Sequence, residues 1–336
     1  MSPNPDSRFR LAAAQVLEER ATQITVLSKG VLDVTETDAA EQLWLASRRL
    51  RAALEVFRPC LGRSEYREGR TEARRISKAV GKRRDVDVAI AAYDGVREET
   101  DPAEAGGIDR VVAMLRREQA TANRALAQVV HGRRMQAFRV RIEEIADSTV
   151  EADAADRANE YRPIEILPPE LIDLVSKRLE KLRLGAPDSL EAEGVEAQHR
   201  MRIAAERLRY SLELTGDALG TQTHTARRAA RGLQDVLGEI RDCDLAVPPA
   251  RKVITELENE DVATIIERAR GSRDLDPVLV QAAPNRSAYR GLELSIVHLA
   301  ARRQMLFERF KRLWLEQSRQ GVWVALETSL KVESSP

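Results

Sequence analysis

The 336-residue sequence predicts an all-α protein made of two four-helix-bundle-like halves. Three observations carry that expectation. Alanine, leucine, arginine and glutamate dominate while aromatic residues make up only 4%, so strong helix formers fill long stretches. Apolar residues recur at helical spacing, and no stretch sustains the two-residue alternation of a half-buried strand. Finally, two short motifs occur twice in the same order. One runs from Glu41 to Arg51 and again from His199 to Arg209, aligned on Arg49-Leu50-Arg51 and Arg207-Leu208-Arg209. The other reads G-x-x-R-D-x-D, from Gly81 to Asp87 and from Gly238 to Asp244. Their offsets, 158 and 157 residues, agree closely enough to indicate an internal duplication. Each half is then a small antiparallel bundle.

Taken in order, residues 8 to about 29 show helical period, and Gly30 suits a C-terminal cap. Thr35, Thr37 or Asp38 can cap the next helix, which ends near Pro59. Residues 63–80 form a third helix closed by Gly81, and Asp85 opens a fourth through about Tyr93. Asp101-Pro102 and Gly106-Gly107 mark a loop before a long helical pattern from Asp109 to Ile145, with Gly132 as its weak point. Residues 148–168, acidic and then proline-containing, connect the halves, which span 8–147 and 169–325 of a single domain covering 8–325. The second half predicts helices over 169–184, from Ser189 to about Leu219, and over 223–237, closed by Gly238. Asp242 opens a short helix interrupted by Pro248-Pro249. Residues 256–268 are helical, 271–288 form a loop, and 291–318 make the last long helix.

The repeated motifs carry the chemistry. In G-x-x-R-D-x-D the glycines suit a left-handed helix end, and Asp85 and Asp242 suit the first turn of the next helix. The motif therefore predicts a helix–turn–helix hairpin. In the other motif His199, Arg202, Glu206 and Arg209 share an arc of about 80° on a helix, beside an apolar face of Met201, Ala205, Leu208 and Leu212. Glu41, Trp44, Arg48 and Arg51 hold the same positions in the first copy. Such a stripe is either a solvated face or a row of anion contacts. Arginine holds phosphate oxygens bidentately and stays charged at physiological pH. Acids at helical spacing are few on these faces, and the recurrence of the stripe favours anion binding.

Charge as a whole is silent: 54 basic residues balance 54 acidic ones. Locally it is not. Between Trp44 and Arg84 thirteen basic residues face four acids, a net +9 that attracts anions. Cys60 and Cys243 fit no metal spacing and suggest a reducing compartment. Residues 1–10 lack the apolar core of a signal peptide, and nowhere do eighteen apolar residues run together, so a cytoplasmic protein outside the membrane is expected.

The stripe H-x-x-R-x-x-x-[KR]-R-L-R, followed some thirty residues later by L-G-x-x-R-D-x-D, resembles the CHAD domain, the "conserved histidine α-helical domain". The second copy matches through His199, Arg202, Arg207-Leu208-Arg209-Tyr210, Gln234, Leu237-Gly238 and Arg241-Asp242. The first matches through Arg48-Arg49-Leu50-Arg51, Gly81, Arg84-Asp85 and Asp87-Val88. The resemblance implies two four-helix bundles about a pseudo-two-fold axis and a basic cavity that binds inorganic polyphosphate, at polyphosphate granules where granule-associated proteins are possible partners. It yields as candidate contacts Arg48, Arg51, Arg74, Lys78, Arg84, His199, Arg202, Arg209, Arg231 and Arg241. Glu41, Trp44 and Glu206 depart from the family pattern, and no E-x-E-x-K of a fused triphosphate-tunnel domain lies near the N-terminus.

Other functions find less support. An enzyme could use His199 as a phosphate acceptor or proton donor, yet no acidic cluster with magnesium spacing accompanies it. His131, His199, His224 and His298 are scattered without i, i+4 pairs, so neither metal nor cofactor is expected. Basic helices also bind nucleic acid, but aromatics to stack bases are scarce. A helical scaffold that docks a protein at granules is the remaining alternative.

Overall fold

The computed structural model describes residues 7–36, 38–150, 167–215, 220–281 and 283–333. Every regular element among them is helical. In chain order they are α1 (Ser7–Leu27), α2 (Ala39–Val56), a 3₁₀ turn (Arg58–Cys60), α3 (Arg63–Glu98), α4 (Gly106–Val130) and α5 (Gly132–Val150). There follow α6 (Pro169–Leu184), α7 (Ala186–Ser189), α8 (Val195–Leu214), α9 (Thr221–Arg268), α10 (Val278–Gln281), α11 (Arg286–Arg319) and α12 (Val322–Glu333). The long pattern expected from Asp109 does break at Gly132. Of the expected connection, residues 148–150 finish α5, and 151–166 lie outside the described residues.

Two expectations are corrected. Gly81 does not close a helix, and Asp85 does not open one: α3 runs through both without interruption. Likewise α9 continues through Gly238, Asp242 and Pro248-Pro249. Neither glycine has a positive φ. The physical reason is packing on both sides of each motif. Along α3, Ala73, Ile76 and Val80 are buried before it and Ala89, Ile90 and Tyr93 after it. Along α9, Leu233, Val236 and Leu237 are followed by Ile240, Cys243 and Ala246. A glycine inside a helix costs only about 1 kcal/mol relative to alanine. A proline costs about 3 kcal/mol, but burying one large apolar side chain returns about 1.5–3 kcal/mol, and Ala250, Val253 and Leu257 beyond the prolines are all buried. The motif's last aspartates act across helices, as Asp87 accepts from Gln119 Nε2 at 2.7 Å and Asp244 from Arg303 Nε at 2.6 Å.

Compactness divides the chain into two units, and neither is a sequence half. The first comprises Met1–Arg84, Ala122–Gly238 and Phe307–Pro336. In it α1 packs on α2 and α5, and α8 packs on α2 and α6. Leu17, Ile24, Leu43, Leu50 and Leu54 are fully buried there, and the rings of Phe9 and Phe57 are 5.0 Å apart. The second unit comprises Asp85–Thr121 and Glu239–Leu306. Its core joins four helical segments: Ile90 and Tyr93 of α3, Ile108, Val111 and Leu115 of α4, Val253 and Leu257 of α9, and Leu292 and Leu299 of α11. Tyr93 donates its hydroxyl to the carbonyl of Ala246 at 2.6 Å, which satisfies a polar atom inside that core.

Here two glycines are required by close approach. A Cβ on Gly291 would lie 2.2 Å from the Glu104 carbonyl oxygen, and one on Gly107 would lie 2.3 Å from that of Ala288. Gly291→Ala should therefore destabilise the protein by about 1–3 kcal/mol through overpacking. Gly238→Ala, with nothing within 4 Å of its Cβ, should be neutral or slightly stabilising. Thermal melts of both variants check this. A marked loss in Gly238→Ala would restore the helix-end reading of its motif.

Candidate anion-binding site

The site is built in the first unit, where α2 meets α8. Neither stripe is a solvated face. Arg202, Glu206 and Arg209 are 9%, 3% and 7% exposed, and Arg48, Arg51 and His199 are half-buried. Buried guanidinium needs a counter-charge, and Glu206 supplies one. It accepts from Arg48 Nε across the helix pair, and its other oxygen lies 3.6 Å from Arg202. Arg48 and Glu206 hold the same position in the two aligned stripes. An arginine at both would set two cations against each other, whereas the glutamate of the second stripe makes the contact an ion pair.

The other departures also find partners. Glu41 accepts from Arg84 Nε at 2.6 Å. Trp44 collects two cations on its ring, with Arg48 4.5 Å and Arg84 5.4 Å from the centroid. At those distances the ring quadrupole attracts both charges. Gly81 serves this arrangement, since a Cβ there would stand 3.2 Å from the indole nitrogen of Trp44.

Toward the C-terminal ends of α2 and α8 the balance tips to positive. Arg51 is held below the ordinary arginine pKa by burial first, then by the neighbouring charges of Arg48, Arg207 and Arg70, which Glu55 only partly offsets. Arg178 of α6 shares that carboxylate at 2.8 Å and donates to the Arg207 carbonyl at 2.9 Å and to Ser211. Burial, followed by the Glu206 carboxylate, pushes the Tyr210 hydroxyl up to about 12.

Beside this contact lies a cavity of about 350 Å³ walled by α2, α8 and α9. Arg49, Arg209, Arg227, Arg228 and Arg231 line it together with His224, against one carboxylate, Glu213. Arg209 is fixed from two sides, donating to Gln234 at 2.8 Å and to Glu213 at 2.7 Å. Arg49 approaches Glu213 only to 3.8 Å. Arg227 stands 3.3 Å from Nδ1 of His224. Arg228 makes no ion pair among the described residues.

The ten candidates thus separate. Arg48, Arg51, His199, Arg202 and Arg209 lie on the two helices that meet, Arg84 reaches them through Glu41 and Trp44, and Arg231 lines the cavity. Arg74 and Lys78 lie exposed on α3 without an ion pair among the described residues. Arg241 belongs to the second unit. Sequence reasoning missed Arg49, His224, Arg227 and Arg228 as cavity residues. A signal existed: His224, Arg227, Arg228 and Arg231 stand at i, i+3, i+4 and i+7 and so share one face of a helix. Among the described residues no group of three or more His, Cys, Asp or Glu side chains is placed to hold a metal ion, and no helix is long and apolar enough to cross a membrane.

Helical elements alone among the described residues, with buried arginines at a helix–helix contact and an arginine-lined cavity beside them, define an all-α protein with a cationic site. The chain belongs to the CHAD domain family, whose model matches residues 15–248. Among solved structures it is similar to the CHAD domain from the plant Ricinus communis, with 19% identity, a TM-score of 0.56, and 85% of this chain and 91% of that one covered. It is also similar to PptA from Streptomyces chartreusis, with 16% identity, a TM-score of 0.55, and 90% and 98% covered. At such identities the likeness is one of fold. No curated protein matches the sequence.

Proposed function

We propose that this chain binds inorganic polyphosphate in the cavity walled by α2, α8 and α9, as a binding protein and not as an enzyme. The observation that carries the reading is the charge of the lining, five arginines against a single carboxylate. Guanidinium forks match the oxygens of successive phosphates, and their fixed charge survives any physiological pH. Membership in the CHAD family favours polyphosphate over other anions. The Arg48–Glu206–Arg202 cluster plays a different part: there an internal carboxylate stands where a ligand oxygen would, which leaves the neighbouring cavity as the open place for an anion. A cytoplasmic protein recruited to polyphosphate granules fits this reading.

Filter binding with long-chain polyphosphate tests it. Single-stranded nucleic acid gives a slope of log K against log salt of about −0.7 per phosphate neutralised. Engagement of the five lining arginines should then give a slope of about −3.5. Orthophosphate should compete poorly because single contacts are weak, and single-stranded DNA should compete less well than polyphosphate itself. Absence of binding at low salt would overturn the reading.

A further inference from the structure

The first unit carries a second basic concavity that no function above uses. It is a groove of about 860 Å³ between α3 and α5, lined by Arg63, Arg67 and Arg75 from one helix and Arg134 and Arg141 from the other. None of these arginines lines the α2–α8–α9 cavity. Two are already neutralised. Arg75 lies 2.6 Å from Glu72, and Arg141 lies 3.5 Å from Glu68 and 3.0 Å from Glu144. The other three, Arg63, Arg67 and Arg134, are exposed and make no ion pair among the described residues. From Arg63 to Arg75 the α3 wall extends about 18 Å at the rise of an α-helix. Uncompensated cations along a concave wall focus the field and attract a complementary anion.

The two glutamates decide what kind of anion. Glu68 and Glu72 are part of the same lining, set between Arg67 and Arg75. A polymer with a negative charge on every unit would have to pass both. A peptide need not. It can set carboxylates against Arg63, Arg67 and Arg134, and place uncharged side chains against Glu68, Glu72 and the exposed Ala137. We propose that the α3–α5 groove is a docking surface for an acidic peptide segment of a partner protein, separate from the cavity proposed for polyphosphate.

Fluorescence anisotropy on the full-length protein tests the proposal with two probes: a labelled synthetic helix-forming peptide of glutamate, alanine and leucine, and labelled polyphosphate. Two double variants are compared, Arg67→Glu/Arg134→Glu in the groove and Arg228→Glu/Arg231→Glu in the cavity. All four side chains are exposed, so both variants should fold, and a melting curve checks this. The groove variant should lose about tenfold or more in peptide affinity, the effect of at least one charge-assisted contact, and keep its polyphosphate affinity. The cavity variant should show the reverse. Wild-type protein that fails to bind the peptide at low salt, or a groove variant that binds it unchanged, overturns the proposal. Loss of polyphosphate in the groove variant with peptide binding intact also overturns it, and makes the groove a phosphate site. Failure of the cavity variant to lose polyphosphate counts only against the function proposed above.

Discussion

Glu206→Gln is expected to lower the stability of the ligand-free protein by about 3–5 kcal/mol, the usual effect of breaking a buried ion pair from one side. Glu206 is 3% exposed and stands between Arg48 and Arg202, so its neutralisation leaves two guanidiniums at a buried helix contact with no carboxylate between them. The same change removes a negative charge close to the proposed site, so polyphosphate should bind more tightly. Glu206→Lys should exaggerate both effects, because a third cation joins the pair, and should steepen the salt dependence of binding. Thermal melts with and without polyphosphate separate the two. The variants should melt below wild type alone and gain more on adding ligand, since a ligand that binds only the folded state raises its stability with affinity. Variants as stable as wild type would mean that the Glu206 carboxylate contributes nothing. Destabilised variants with unchanged affinity would confine it to a structural role.

Arg209→Ala should weaken polyphosphate binding by roughly ten- to a hundredfold, corresponding to about 1.5–3 kcal/mol for a charge-assisted contact. The loss has two sources. One guanidinium disappears from the cavity, and Glu213, which accepts from it at 2.7 Å, keeps among the described residues only Arg49, at 3.8 Å, as counter-charge. Its field would then act more fully against an incoming phosphate. Arg319→Ala is the control. Arg319 ends α11, with α12 after it, and its exposed side chain pairs with Glu316 at 3.0 Å. Surface pairs of this kind contribute little, so affinity should barely change. Equal losses at both positions would show that binding follows diffuse charge instead of a defined site.

Much of the fold is legible in the sequence because helix formation is local. Periodicity and propensity place α1, α2 and α6 within a few residues, and the long pattern from Asp109 breaks beside Gly132, which opens α5; the helix expected from Ser189 instead starts at Val195, after the short α7. The same reasoning fails at Gly81, Gly238 and Pro248-Pro249. There a local breaker worth about 1–3 kcal/mol competes with apolar burial along the whole helix, and only the tertiary core says which is larger. The division into compact units was equally hidden, because the core of the second unit joins Tyr93 to Val253 and Ile108 to Leu292, pairs far apart along the chain.

The sequence by itself determined that this protein is all-helical, that it belongs with the CHAD domains, and that its arginines recur at fixed helical spacing. It could not say whether the stripes face solvent, since an amphipathic period fixes a face and not what covers that face. Only the tertiary structure decided that Arg202, Glu206 and Arg209 are buried, and that Glu206 answers Arg48 from 158 residues away. It also decided that His224, Arg227, Arg228 and Arg231 join Arg49 and Arg209 around one cavity. Coulomb interaction depends on distance in space and on the surrounding dielectric, and folding sets both.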